Sequence, residues 1–249
     1  MGIVIKSLRE IELMRQAGRI VAETLAVLAE NVRPGVTTRE LDQLAYQTIT
    51  GQGATPSFKG YRGFPASLCA SVNDEVVHGI PDKRVLKEGE IVSLDVGAYY
   101  KGFHGDAAIT VPVGKIASRV QALLDACQAG LAAGIAAARA GAHVGDISYA
   151  VQTTVEARGF SVVREYTGHG VGRDLHEAPL VPNVGQPSEG PLLRRGMTLA
   201  LEPMINMGGW EVMVKPNGWT VVTRDGSWSA HFEHTIAITD GEADILTKL

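Results

Sequence analysis

Two stretches of the chain carry the apolar spacing of long amphipathic helices, and each opens with a capping signal. The sequence SLRE at 7–10 fits a capping box, in which the serine accepts a hydrogen bond from the backbone N–H three residues on and the glutamate reaches back. Apolar residues then recur at helical spacing until about 34–35. The sequence SRVQ at 118–121 offers the same cap before an apolar run that ends near 140–141. The pattern predicts one long helix in each half of the chain.

A shorter helix is expected after each long one. Thr37 and Glu40 form another capping box ahead of an apolar stripe. The matching helix of the second half begins around Asp146. Each half of the chain is therefore predicted to contain a long helix followed by a short one.

The two halves align with each other beyond these helices. Residues 86–96, which predict a strand, align with 193–203 at an offset of 107 residues. An internal duplication implies a pseudo-two-fold α+β fold, in which helices cover one face of a mainly antiparallel sheet. We expect halves at about 7–112 and 118–246 within a single domain, 1–249. The positions that repeat include glycines, a histidine and an acid: Gly35 and Gly141, Gly53 and Gly159, Gly89 and Gly196, His78 and His176, Asp95 and Glu202.

Two acidic residues lie on one predicted hairpin in the first half, around positions 91–113. With a turn at 100–101, Asp95 and Asp106 face each other; with a turn at 101–102 they are diagonal, roughly 7–8 Å apart at Cα. Both registers bring the carboxylates close. Like charges opposed on a sheet destabilise it unless one takes a proton or a cation lies between them.

The second half repeats this arrangement with glutamates. Glu202 and Glu233 flank a nested hairpin whose Asn217-Gly218 suits a type I′ turn at its centre. Adding His169 gives four carboxylates and one imidazole, a mostly hard donor set that suits two divalent first-row ions. Two such ions, roughly 3.5 to 4 Å apart, can hold a shared hydroxide as nucleophile and polarise a carbonyl oxygen. Hydrolysis is the expected chemistry.

The composition excludes several other classes of protein. A chain of 249 residues with 45% hydrophobic and 20% charged residues can bury a core. The formal charge of -4, with no basic block, disfavours nucleic acid and anionic membrane as partners. The uncharged stretch at 126–138 is too short to cross a bilayer. Cys69 and Cys127 alone cannot form a disulfide framework, which agrees with a cytoplasmic location.

Seven motifs, taken in order, carry a family resemblance: HGIP at 78–81, LDV at 94–96, GFHGD at 102–106, GHGVG at 168–172, HEAP at 176–179, LEP at 201–203 and FEHT at 232–235. Together they resemble the bacterial-type, type I methionine aminopeptidases over about 7–246. The resemblance implies the pita-bread (creatinase/aminopeptidase) fold and a single catalytic domain. It also implies removal of the initiator methionine from nascent proteins whose second residue is small.

The resemblance assigns a metal site with two divalent ions, which Co²⁺, Mn²⁺, Fe²⁺ or Zn²⁺ could fill. Asp106 and Glu233 would bridge the ions. A monovalent cation is a further expectation, at positions that resemble a loop site of relatives: Asn73, Glu75 and Ser229. The implied ligands of the divalent ions are Asp95, Asp106, His169, Glu202 and Glu233.

Two histidines outside that set are implied in catalysis. His176 would stabilise the tetrahedral intermediate and His78 would bind the substrate amide. Glu202 would also be the general base. Other histidines, at 104, 143, 231 and 234, are expected at the surface or behind the ligands, with 104 and 234 nearest because they adjoin ligand strands.

A methionine side chain needs an uncharged apolar slot, and polarisable walls favour its thioether. The resemblance implies that five residues form this slot: Tyr61, Phe64, Cys69, Leu175 and Trp219. Each of them could instead be an ordinary core residue.

Two alternative functions use the same fold. Relatives that cleave Xaa-Pro bonds usually carry an extra N-terminal domain, whereas only residues 1–6 precede the first predicted helix. Non-catalytic pita-bread proteins that bind a partner lose metal ligands, whereas all five are present here. The expected partners are nascent polypeptide N-termini, with the ribosome as a further candidate. No nucleic acid or membrane is expected, and the protein is expected to be a cytoplasmic monomer.

Overall fold

A computed structural model describes residues 2–249. Its helices are α1 Leu8–Asn31, α2 Thr38–Gly51, α3 Ser118–Ala137 and α4 Val144–Glu156. The strands, in chain order, are β1 Thr55–Pro56, β2 Leu68–Val72, β3 Glu75–Val77, β4 Ile91–Tyr100, β5 Phe103–Pro112, β6 Ser161–Val162, β7 Thr167–Gly170, β8 Glu177–Pro182, β9 Thr198–Leu201, β10 Met204–Asn206, β11 Val212–Val214, β12 Val221–Thr223, β13 Ser229–His231, β14 Glu233–Ala237 and β15 Asp244–Ile245. A short 3₁₀ turn covers Tyr61–Gly63.

Capping explains where three of the four helices begin. The capping boxes at Ser7 and Thr37 are both formed, with the glutamate three residues on accepting the backbone N–H. In α4 the N–H of His143 donates to Asp146 at 2.7 Å. The predicted cap at Ser118 is wrong, because Ser118 is already helical and Ala117 precedes it without a side-chain cap. The long helices also end about three residues earlier than predicted, where Val32 and Ala138 leave helical geometry.

The strands form one large sheet and two small ones, and every pairing is antiparallel among residues 2–249. The large sheet has the order β1-β4-β5-β14-β9-β7-β8, with β2 beside β4 and β15 beside β14. The small sheets have the orders β13-β10-β6 and β11-β12-β3. Pairing of β5 with β14 joins the two halves of the chain in a single sheet.

The internal repeat is visible in the backbone. The glycine pairs expected to match have nearly equal positive φ angles: 95° and 90° at Gly35 and Gly141, 74° and 76° at Gly53 and Gly159, 90° and 89° at Gly89 and Gly196. Residues other than glycine rarely adopt this left-handed backbone conformation. The two glycines of each pair therefore mark equivalent turns in the two halves. Equivalent bridges also link Thr37 to Val85 and His143 to Leu192.

The alternation of side chains along the strands separates the core from the site. In β4, Leu94 and Val96 pack against α1 and α2, while Asp95 points to the other face. In β9, Leu201 packs in the cluster that contains α3 and α4. Because Leu201 pairs with His234 and His234 with Ala107, this face is continuous across both halves. All four helices therefore cover one face, and the acids share the opposite face.

Hairpin registers fix how close the acids come. Tyr100 pairs with Phe103, so the turn lies at 101–102, and Asp95 and Asp106 are diagonal rather than opposed. In the second half, Val214 pairs with Val221, and the same register continues through β10–β13 to β9–β14. The predicted type I′ turn is wrong: Asn217 lacks a positive φ, and the side chain of Asn217 instead accepts two backbone N–H groups of a four-residue loop.

Helix α3 has the length and apolar composition of a membrane span, which the short stretch at 126–138 did not suggest. Its buried side chains pack in the core of the second half. A Cβ added at Gly130 would lie 2.7 Å from Val155, and one at Gly134 would lie 2.8 Å from Val151. Small residues thus let α3 and α4 approach closely, so α3 acts as a core helix here.

Candidate metal centre

Two adjacent rows across the large sheet bring the acids together. The first row runs from Cys69 through Asp95 and Ala108 to Glu233, on β2, β4, β5 and β14. Glu202 directly follows the pair formed by Leu201 and His234, and therefore comes opposite Glu233. The register of four strands thus gathers three carboxylates on the face away from the helices.

The second row supplies the remaining two residues. The N–H of Asp106 donates to the hydroxyl of Thr235 at 3.1 Å. Thr235 pairs with Ala200, and Ala200 pairs with His169 on β7. His169 Nε2 consequently lies 3.8 Å from Asp106 Oδ2 and 3.5 Å from Glu202 Oε1. One donor atom each from Asp106, His169 and Glu233 lies within 4.8 Å of the others.

The carboxylates are crowded where water cannot screen them. Burial raises the pKa of Asp95 to about 8. Burial, together with neighbouring carboxylates, raises the pKa of Asp106, Glu202 and Glu233 well above their ordinary values. Among residues 2–249, buried oxygens of Asp95, Asp106 and Glu233 have no hydrogen-bond partner. Such a cluster needs protons or cations between its members.

His169 is oriented to offer a lone pair to this cluster. Its Nδ1 lies 2.8 Å from the carbonyl oxygen of Gly170. Because a carbonyl can only accept, Nδ1 carries the hydrogen, and Nε2 of the neutral ring faces Asp106 and Glu202 with its lone pair. Burial lowers the pKa of His169 to about 4, which keeps the ring neutral near pH 7. A lone pair facing carboxylate oxygens needs a proton or a cation between them, and the donor set fits divalent metal.

The repeated histidines lie beside this cluster in different settings. His176 stacks on Tyr61 at 5.3 Å between ring centroids and lies 4.1 Å from the ring of His169. His78 contacts Tyr166 and Trp219 edge-on, and its φ of 58° marks a strained backbone. Burial lowers the pKa of His78 to about 4 and, with nearby His169, that of His176 to about 3. Both rings are neutral near pH 7 and can donate one N–H.

A cavity of about 130 Å³ is lined by the acids on one hand and by aromatic and apolar side chains on the other. All five residues predicted to form a slot line it: Tyr61, Phe64, Cys69, Leu175 and Trp219. Sequence reasoning missed Phe58 and Arg62, which also line it. The loop that carries both residues has positive φ at Gly60, Arg62 and Gly63, a conformation that apolar spacing does not reveal.

A second cavity, of about 480 Å³, lies on the other side of the histidines. His78, His169, His176 and Glu202 line both cavities. Glu202 and these three histidines therefore stand between the slot and a wider opening. A chain end placed in the slot would leave through this opening.

His231 is the functional candidate that the sequence analysis ranked too low. It is 1% exposed, and its Nε2 lies 3.9 Å from an oxygen of Glu202 and of Glu233, without a hydrogen-bond partner in the described part of the chain. The two histidines expected nearest the ligands bond elsewhere, His104 to Ser57 and His234 to Thr247. The sequence held a simple signal for this placement. His231 is two residues before Glu233, and in an extended segment residues two apart point to the same face.

The positions expected to hold a monovalent cation are close together but already bonded. The carboxylate of Glu75 accepts from the N–H of Val72 and pairs with Lys215 at 2.7 Å. The side chain of Asn73 accepts from the N–H of Ile91, and the hydroxyl of Ser229 donates to a backbone carbonyl. Their side-chain oxygens are therefore less available than those of the acid cluster.

Comparison with known proteins connects this site to a family. Residues 12–240 match metallopeptidase family M24. The chain is 53% identical to methionine aminopeptidase 1 of Bacillus subtilis, over 99% of this chain and 100% of that protein. It is also 53% identical to the methionine aminopeptidase of Clostridium perfringens, over 98% of each.

Solved structures agree with the sequence comparison. The crystal structure of methionine aminopeptidase from Thermotoga maritima superposes with a TM-score of 0.98 at 49% identity, over 100% of both chains. Xaa-Pro dipeptidase from Bacillus anthracis superposes at 0.79 with 23% identity, over 98% of this chain but 62% of that one, which shows a shared fold alone. The predicted pita-bread fold is confirmed.

Proposed function

The chain belongs to metallopeptidase family M24, and from that premise we propose that its acid cluster holds two divalent ions in an aminopeptidase site. The chain is an aminopeptidase hydrolase that removes N-terminal methionine. One arrangement carries the metal site: among residues 2–249, buried oxygens of Asp95, Asp106 and Glu233 have no hydrogen-bond partner, and donor atoms of Asp106, His169 and Glu233 lie within 4.8 Å of one another. Bound ions would supply Lewis-acid polarisation of the scissile carbonyl and acidified water.

Five residues are proposed as ligands, from both rows of the sheet. Asp106 and Glu233 each have a buried oxygen without a partner among residues 2–249, and both belong to the group of donor atoms within 4.8 Å of one another, which supports a bridging role for both. His169 supplies the only nitrogen donor of the proposed set. The proposed ligands are Asp95, Asp106, His169, Glu202 and Glu233. Hard oxygen donors accept Co²⁺, Mn²⁺, Fe²⁺ or Zn²⁺, and availability would select among them.

Three residues are proposed to act on the scissile bond. The raised pKa of Glu202 suits a group that takes a proton from water and passes it to the leaving amine. Neutral His176 would donate its N–H to the developing oxyanion, and neutral His78 would hydrogen-bond the substrate amide. Their positions between the two cavities support these roles, because the scissile bond must lie there.

The two cavities support a substrate orientation. The slot of Tyr61, Phe64, Cys69, Leu175 and Trp219 would hold the methionine side chain, since aromatic and sulfur groups favour a thioether. The second residue would then lie beside His78 and His176, where the slot meets the wider cavity. Nascent polypeptide N-termini whose second residue is small are the proposed substrates.

The cellular setting follows from that substrate. We propose a cytoplasmic monomer consisting of one catalytic domain, which acts on nascent chains near the ribosome. Size-exclusion chromatography with light scattering tests the monomer, and a dimer would contradict it. Co-sedimentation with ribosomes tests the docking.

Peptide hydrolysis tests the proposed function. Metal-stripped protein should release free methionine from Met-Gly-Met-Met only after Co²⁺ or Mn²⁺ is added, and should leave Met-Lys-Met-Met intact. Release without metal would contradict the proposed centre. Cleavage of Xaa-Pro peptides instead would favour an Xaa-Pro aminopeptidase. Binding of metal without any hydrolysis would favour a non-catalytic pita-bread protein.

A further inference from the structure

A buried lysine lies beside the site without a role in the proposed chemistry. Lys6 is 5% exposed, although lysine is among the residues least often buried. Its ammonium forms an ion pair with Glu177, and its backbone N–H donates to Gly196 at 2.8 Å. A buried pair of this kind is weak evidence for stability, because desolvation offsets the attraction. The pair therefore calls for another explanation.

The carboxylate of Glu177 also closes a turn. One of its oxygens accepts the backbone N–H of Arg173 at 2.9 Å and of Asp174 at 3.3 Å. Glu177 is at the same time the first residue of β8, where it pairs with Gly170. A single carboxylate thus connects the lysine, the turn at 173–176 and the strand next to His169.

The packing around this pair leaves little space for movement. A Cβ added at Gly172 would lie 2.6 Å from Cε of Lys6 and against the carboxylate of Glu177. Real Cβ atoms essentially never approach so closely. The lysine stem, the carboxylate and the start of the turn therefore pack as one unit.

His176 is the last residue of that turn. Its ring is held by stacking on Tyr61 and by contact with the ring of His169. Within residues 2–249 no hydrogen bond fixes the side chain of His176, so ring contacts alone hold it. The backbone of the turn must then determine where the ring lies.

We propose that the Lys6–Glu177 pair is a positioning device for His176. It acts by holding the 173–176 turn closed, so that the His176 N–H stays at the oxyanion position. The inference rests on the proposed function, in which His176 acts on the scissile bond. A displacement of about 1 Å at a reacting group can cost roughly 10² in rate, so the pair should affect kcat rather than substrate binding.

A double-mutant cycle tests this role. Lys6→Met keeps the apolar stem and removes the charge, and in Mn²⁺-loaded protein it should lower kcat on Met-Gly-Met-Met about tenfold, with KM within about twofold. In a His176→Ala background the same change should have no further effect, because the residue it positions is gone. Affinity for Mn²⁺, measured by titration calorimetry, should be unchanged.

Arg15 provides a matched control. Like Lys6 it makes an ion pair with a residue far away in sequence, Asp244. Its hydrogen bonds and ion pairs go to Glu12 and Asp244 and not to the 173–176 turn. Arg15→Met should leave kcat unchanged in both backgrounds while lowering the melting temperature.

The outcomes separate this inference from the proposed function. Inactive wild-type protein would defeat the proposed function. Active wild-type protein with unchanged kcat in Lys6→Met, or with an equal loss in both backgrounds, would overturn the positioning role alone. If Lys6→Met does not fold, Glu177→Gln gives the same test. It keeps an acceptor oxygen for the turn, and should lower kcat by a smaller factor, again only when His176 is present.

Discussion

The two halves of the chain build their share of the metal centre in different ways. In the first half, Asp95 and Asp106 stand on one unbroken ladder that runs from Ile91 to the turn at 101–102. In the second half, Glu202 lies just beyond the last residue of β9, where the chain leaves the large sheet for a small one. Pro203, which has no N–H to donate, follows it.

The two halves also use different acids, aspartates on the first hairpin and glutamates in the second half. Both halves nonetheless use one register each, which places the four carboxylates in adjacent rows. The repeat thus conserves the position of the acids more strictly than their local backbone.

The strongest test of this comparison removes one proposed bridging acid from each half. Asp106→Asn and Glu233→Gln should each lower kcat/KM by roughly 10³-fold, since metal catalysis supplies several kcal/mol. Calorimetry should show loss of at least one Mn²⁺ equivalent in both variants. If either variant kept full metal binding, the centre would belong to one half only.

A somewhat smaller effect is expected from the repeated histidines. His176→Ala removes a proposed oxyanion donor and should lower kcat by about 10²-fold or more. His78→Ala should raise KM as well, because His78 is proposed to bind the substrate amide. Steady-state kinetics on Met-Gly-Met-Met distinguish the two. Identical kinetic profiles would show that the repeat has conserved function as well as position.

His231 allows the second half to be tested without altering a ligand. His231→Leu should weaken Mn²⁺ binding by about 10- to 100-fold, because its Nε2 lies 3.9 Å from Oε2 of both Glu202 and Glu233. His231→Gln, which can still donate an N–H, should retain most of the affinity. Equal affinity in the leucine variant would assign His231 to packing alone.

The hairpin of the first half depends on one glycine in its turn. Gly102 has φ of 90°, so Gly102→Ala should destabilise metal-stripped protein by about 1–2 kcal/mol through backbone strain. Gly51→Ala is the control: Gly51 ends α2 with open space around it and no positive φ, so this change should be neutral or stabilising. Urea unfolding measures both. A tolerated Gly102→Ala would mean that the turn does not fix the register.

The smallest expected effect concerns pH and lies away from the centre. Hydrogen bonding to Arg15 lowers the pKa of Asp244, so this pair stabilises the fold above the ordinary aspartate pKa and loses that effect as pH falls through the lowered value. The melting temperature of wild type should exceed that of Arg15→Met by more at pH 7 than at pH 3. Because both side chains are about one-third exposed, the difference should stay within about 1 kcal/mol. A difference that grew with acidification would contradict the assignment.

Sequence patterns predicted the framework better than the details of its ends. Capping boxes and apolar spacing located α1 and α2, and the aligned glycines predicted turns whose φ angles agree within a few degrees. The turn at Asn217 could not be predicted, because an asparagine side chain that accepts backbone N–H groups allows a four-residue loop as readily as a type I′ turn. The ends of the two long helices were predicted about three residues too late, because the chain leaves helical geometry at Val32 and Ala138.

The site shows the same division. Alternation along two hairpins brought the acids together on one face, because that depends only on period and register. Phe58 and Arg62 were missed, since their loop has no periodic pattern. His231 was expected at the surface or behind the ligands, and its alternation with Glu233 favours the second position. Lys6 could not be found from sequence at all, because its partner Glu177 lies 171 residues away.

The central claim is that acids from both halves hold two ions between them. Anomalous scattering from crystals of the Mn²⁺-loaded protein tests it most directly. The account predicts two peaks roughly 3.5 to 4 Å apart, both in contact with Asp106 and Glu233. A single ion bound by one half, or ions bound away from this cluster, would contradict it.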